Sequence, residues 1–81
     1  MNTSTATIQL DRAPVDIALT IASVAKDPVV AHRMMTLGWR AGGQVRVVKQ
    51  ASGGAKVIDL GGSRVAVSRK LARTLCVEAA A

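Results

Sequence analysis

A single aromatic side chain, Trp39, stands in a chain of 81 residues that has no Phe and no Tyr, although 49% of its residues are hydrophobic. Any core it builds is made of Val, Ile, Leu, Met and Ala, which bury less area apiece than the aromatics that usually dominate a core. A domain of this size buries only about 60% of the surface its unfolded chain exposes, so there is little room for a deep catalytic pocket. The lone cysteine, Cys76, cannot close an internal disulfide to compensate, and it points to a reducing cytoplasm. The aliphatic content excludes a disordered chain. No charged and apolar leader of the secretory kind opens the sequence, and its most apolar stretch, residues 17–25, is far short of the roughly 20 residues that cross a bilayer.

Hydrophobic periodicity divides the chain into short elements. Val15, Ile17, Leu19 and Ile21 alternate with smaller or polar residues, which predicts a half-buried strand, and the phase slips after Ile21, which predicts a bulge or strand end near Ala22. Asp27-Pro28 ahead of residues 29–37 and Gly38 is the clearest helix signal: a carboxylate to cap, a proline at the first position and a glycine free to turn left-handed at the end. Val30, Met34 and Leu37 share one face of that helix and are expected to pack on a sheet, with His32 and Thr36 opposite and Met35 on the flank. From Gln44 the period returns to two through three strands joined by Ser52-Gly53-Gly54 and Gly61-Gly62. Ser68 reads as the cap of a single helical turn, and Leu75-Cys76-Val77 as a short closing strand. The order implies a mainly β domain, a small barrel of about five strands with one helix and one helical turn, closed because closure removes exposed edges. The domain is expected over residues 10–78, with residues 1–9 disordered or frayed and residues 79–81 frayed.

Little in the chain can carry covalent chemistry. Four Asp, one Glu, one His and one Cys are scattered along it without catalytic spacing, and both Gly-Gly pairs sit between strands rather than before a helix, so no enzyme is expected. His32 and Cys76 are the only soft ligands, too few for a transition-metal site that takes three or four; no resident cofactor is expected, and ferrous iron or another transition metal would have to find its ligands elsewhere. Eleven Lys and Arg against five acidic residues give a net charge of +6, with Arg40, Arg46, Lys49, Lys56, Arg64, Arg69, Lys70 and Arg73 all following the helix. Nucleic-acid-binding barrels interleave such charge with aromatic stacking platforms, which are missing here, so no nucleic acid is expected. The charge instead solvates the domain, docks on an acidic partner or lies near anionic lipid beside a membrane protein.

The run from His32 to Val48, with Arg33, Leu37, Gly38, Trp39, Gly42, Val45 and Val47 at the pattern positions, resembles the hallmark of the FeoA family, an R-L-x-x-L-G-hydrophobic-x-x-G-x-x-[VI]-x-[VI] run. The run from Gly62 to Glu78 is similar to that family's ending, and together the two blocks extend the resemblance from about Leu10 to Glu78. Gly38 and Gly42 have a physical reason in ending the helix and turning into the next strand; Ala66 and Ala72 are small where strand and helical turn are expected to meet. The chain departs from the family in having Ala13-Pro14-Val15-Asp16 before its first predicted strand and Ala51-Ser52-Gly53-Gly54 at a hairpin tip. The resemblance implies an SH3-like β-barrel acting as a small cytosolic accessory of bacterial ferrous iron uptake, partnered with the cytosolic GTP-binding domain of a FeoB-type permease. It also implies a second possibility, a transition-metal-binding or sensing module like the equivalent domain of metal-dependent repressors. Met35, Trp39 and Arg40, supported by Arg33 and Arg46, are the residues expected to touch a partner, since an apolar anchor beside arginine is the composition of an interface hot spot; a Trp just past a helix end more often closes the barrel as core or lid, and it serves as an anchor only if exposed.

Overall fold

The computed structural model describes residues 7–79. Its elements are β1 (Thr7–Gln9), β2 (Ala18–Ser23), α1 (Pro28–Thr36), β3 (Gln44–Gln50), β4 (Lys56–Leu60), β5 (Ser63–Val67), α2 (Arg69–Ala72) and β6 (Cys76–Ala79), with short 3-10 turns at Leu10–Arg12 and Ser52–Gly54. All six strands join one antiparallel sheet in the order β1-β6-β2-β3-β4-β5. Among the described residues no ladder joins β5 back to β1, so the barrel has one open seam where full closure was expected.

The sixth strand comes from the segment expected to fray. Thr7, Ile8 and Gln9 pair with Glu78, Val77 and Cys76. The sequence signal is weak because one apolar residue, Ile8, packs against the core and backbone pairing holds the rest. The anchor follows them: Leu10 is fully buried and its N–H donates to the Leu75 carbonyl at 2.8 Å. At the other terminus Ala79 pairs with Leu19. The rest of both expected frayed ends, residues 1–6 and 80–81, lies outside the described residues.

The first predicted strand starts later than its alternation suggests. Asp16 adopts a left-handed conformation, φ 63°, which a short polar side chain tolerates better than most. That turn separates β2 from Val15, which forms a lone parallel bridge with Val47, and it leaves Ile17 exposed. Leu19 and Ile21 do point inward, and the register shifts between Ile21 and Ser23, at the expected bulge.

The helix starts as its residues require: the Asp27 carboxylate accepts the Val29 N–H at 2.9 Å and Pro28 occupies the first turn. At the other end Gly38 takes φ 106°, and the N–H of Trp39 donates to the Met34 carbonyl at 2.9 Å. Met34 is buried and Val30 half-buried, but Leu37 is exposed. The helical spacing that would send Leu37 inward fails because the chain leaves the helix there, and Trp39 goes inward instead. The second cap also forms, with the Ser68 hydroxyl accepting the Leu71 N–H at 3.1 Å.

Trp39 is 0% exposed in a core otherwise aliphatic, which includes Leu19, Ile21, Val47, Ile58 and Val77. Its indole Nε1 donates to the Ser23 carbonyl at 2.9 Å, joining the end of the helix to the end of β2. Lys56, expected among the solvated cations, is only 3% exposed, because the period of β4 puts it on the inward face with Ile58 and Leu60. No ion pair to it forms among the described residues.

Two predictions follow from this core. Trp39→Phe, which leaves the Ser23 carbonyl without its donor, is expected to cost about 1–3 kcal/mol in urea unfolding followed by circular dichroism. Lys56→Met keeps the buried aliphatic stem and removes an ammonium that no ion pair engages among the described residues, so it is expected to change unfolding free energy by no more than about 1 kcal/mol in the same urea measurement.

Candidate functional site

The residues expected to meet a partner divide between the end of α1, strand β3 and the core. Arg33, Met35, Arg40 and Arg46 are exposed. Trp39 is not: as the largest side chain in the protein it closes the aliphatic core, and its one polar atom is satisfied internally, so its assignment to the surface is corrected. The residue sequence reasoning missed is Leu37. It is 40% exposed and Met35 is 49% exposed, so two apolar side chains stand on the surface at the end of the helix, between Arg33 and Arg40 in the chain. The signal that could have found Leu37 is the helix stop itself: Gly38 halts the helical spacing one residue after it. Arg46 stands elsewhere, on β3 opposite Asp59, in a shallow hollow of 420 Å³ that also includes Gln44 and Gly61.

The two candidate metal ligands line different hollows. His32 is exposed on the outer side of α1 beside Pro28, Val29 and Arg33. Cys76 is a free, half-buried thiol at the start of β6, on the wall of a groove of 880 Å³ between the α1 entry and α2. Among the described residues no three His, Cys, Asp or Glu side chains come together in a way that could hold a metal. Of the residues given a structural role, Gly38 and Gly42 have φ of 106° and 86°, and Ala72 is fully buried. At Gly38 a Cβ would meet Leu60 at 3.7 Å, ordinary contact, so backbone conformation rather than space calls for glycine. Ala66 is not at a close approach; it is exposed on β5 opposite Val57.

A helix closed by Leu-Gly, a buried Trp behind it and a meander ending in a capped turn agree with a known domain, and the FeoA domain model matches residues 8–79. The chain belongs to the FeoA domain family. The match starts inside β1, two residues before the domain start expected from the sequence, because that strand is part of the fold. The FeoA family is associated with ferrous iron transport. The FeoA protein of Chlorobium tepidum is 25% identical, covering 91% of this chain and 71% of its own, with a TM-score of 0.82. The zinc complex of Stenotrophomonas maltophilia FeoA, described as an SH3 domain protein, is 24% identical over 88% of this chain and 89% of its own, with a TM-score of 0.75. A manganese-dependent transcriptional repressor superimposes with a TM-score of 0.84 at 16% identity, covering 96% of this chain and 44% of its own. The last two likenesses are of fold: a mainly antiparallel, SH3-like domain. No curated protein is similar enough to this chain to count as a relative. Among the described residues no helix is long and apolar enough to cross a membrane.

Because Met35 and Leu37 contribute little to the FeoA core, Met35→Ser and Leu37→Ser are each expected to change unfolding free energy by no more than about 0.5 kcal/mol, measured by the urea midpoint. That is well below the cost expected for Trp39→Phe.

Proposed function

We propose that this FeoA-family protein is a non-enzymatic accessory of ferrous iron uptake that docks on the cytosolic GTP-binding domain of a FeoB-type permease and regulates it through its nucleotide cycle or assembly. The observation that carries the reading is the pair Met35 and Leu37, exposed at the end of α1 and flanked in the chain by the exposed Arg33 and Arg40. Apolar side chains supply affinity once covered, while arginines steer approach and set register, so an adaptor needs both. A net charge of +6 favours an acidic receiving surface and cytoplasmic residence next to a membrane protein with anionic lipid around it.

The test is calorimetric titration of this protein into the cognate permease's GTP-binding domain at low and moderate salt, with a GTP analogue, GDP or no nucleotide. Binding is expected to weaken with salt and to differ between nucleotides. The double variant Met35→Ser, Arg40→Glu is expected to lose about tenfold or more in affinity. Absence of heat in every state overturns the reading.

One observation favours a second reading, a metal-binding or sensing module: the Stenotrophomonas maltophilia relative was crystallised with zinc. Here His32 and Cys76 would each need ligands from another chain or from solvent, since they line different hollows. Titration of the metal-free protein with zinc or ferrous iron separates the two readings. Metal left free at micromolar concentration excludes the second; tight uptake that His32→Ala or Cys76→Ser abolishes supports it.

A further inference from the structure

The groove between the α1 entry and α2 has a volume of 880 Å³, and the docking reading above makes no use of it. Its floor is aliphatic: Val24, Ala25, Val30 and Leu71. Val24 is 41% exposed there, an apolar side chain left in solvent by a protein with few large side chains to spare. The rim is cationic, with Lys26 on one side and Lys70 and Arg73 on the other. Arg73 faces Asp11 at 3.7 Å, and no ion pair engages Lys26 or Lys70 among the described residues. The one carboxylate on the rim, Asp27, accepts the Val29 N–H as the cap of α1.

We propose that this groove binds an acidic peptide segment carrying an aliphatic anchor. Charge selects the occupant. A second copy of the chain would bring another net +6 against a cationic rim, and the chain's own first six residues contain no carboxylate. A flat lipid surface would meet the rim cations but leave the concave apolar floor uncovered, whereas a peptide of alternating carboxylates and aliphatic side chains satisfies both. The inference stands apart from the docking face at Met35 and Leu37 and needs no particular transporter.

The experiment uses the full chain and a fluorescein-labelled peptide that alternates leucine with glutamate. Two controls accompany it, one with serine in place of leucine and one with lysine in place of glutamate. Anisotropy at low ionic strength is expected to show binding of the first peptide and at least about tenfold weaker binding of either control. Amide shifts are expected at Val24, Ala25 and Leu71, and the bound peptide is expected to slow the reaction of Cys76, on the groove wall, with a soluble disulfide reagent. Lys26→Glu combined with Lys70→Glu, both exposed, is expected to lower affinity about tenfold with an unchanged Tm. The proposal is overturned if the leucine–glutamate peptide does not bind, if the serine control binds equally, or if the shifts fall on Met35 and Leu37 instead. It is also overturned if vesicles of phosphatidylserine and phosphatidylcholine bind through Lys26 and Lys70 while the peptide does not. Since no permease domain enters the experiment, its failure and the failure of the docking reading are told apart.

Discussion

The indole of Trp39 is the large apolar body around which an aliphatic domain of this size closes, and its N–H is satisfied by the Ser23 carbonyl. One end of that arrangement is the helix stop, where Gly38 turns left-handed and the Trp39 N–H donates back to Met34. The other is the end of β2, next to its register shift. The indole therefore sets where α1 ends relative to the sheet, and small β-branched side chains could not span that distance while filling the same volume. Leu37 is outside as a consequence: once the chain turns at Gly38 to send Trp39 inward, the side chain before it is left on the surface beside the flanking Met35. The exposed Leu37 and the buried indole are two results of the same helix ending.

The rest of the stability is distributed over short elements. Helices of nine and four residues would not form alone in water, and each relies on a side-chain cap, Asp27 and Ser68, together with burial of Met34 or Ala72. The sheet holds its ends by backbone pairing, as at β1, where three residues with little apolar content are kept in place by β6 and by Leu10 behind them. What the domain offers partners lies outside: a cationic surface, an apolar pair at the end of α1 and a groove at its start.

Eleven cations against five carboxylates, with one ion pair among the described residues, leave a positive field that speeds encounter with acidic surfaces and contributes less once salt screens it. Family membership gives ferrous iron transport as the setting. The two ends of α1 present different chemistry, exposed Met35 and Leu37 with Arg33 and Arg40 near them in the chain at one and a lysine-rimmed concavity at the other.

Local rules made much of this legible. Asp27, Pro28, Gly38 and Ser68 fixed both helices, because caps act within a few residues; the alternation from Gln44 to Val67 fixed the meander; and the paired blocks around Gly38 and Ala72 carried the family. The amino-acid sequence alone thus determined the class of fold and the order of every element except β1, whose residues pair through the backbone with a strand far away in the chain. It did not determine which side chains face out. Leu37 looked inward by helical spacing, Lys56 looked solvated and Ala66 looked confined, and the folded chain reverses each; Trp39 could serve as core or anchor, and the folded chain takes it into the core. Exposure depends on where an element stops and on what lies across from it, as the left-handed turn at Asp16, the helix end at Gly38 and the register of β4 demonstrate. The groove has the same origin: Val24, Lys26 and Lys70 are distant in sequence or unremarkable in local pattern, and only the packing of α2 beside the α1 entry makes them neighbours.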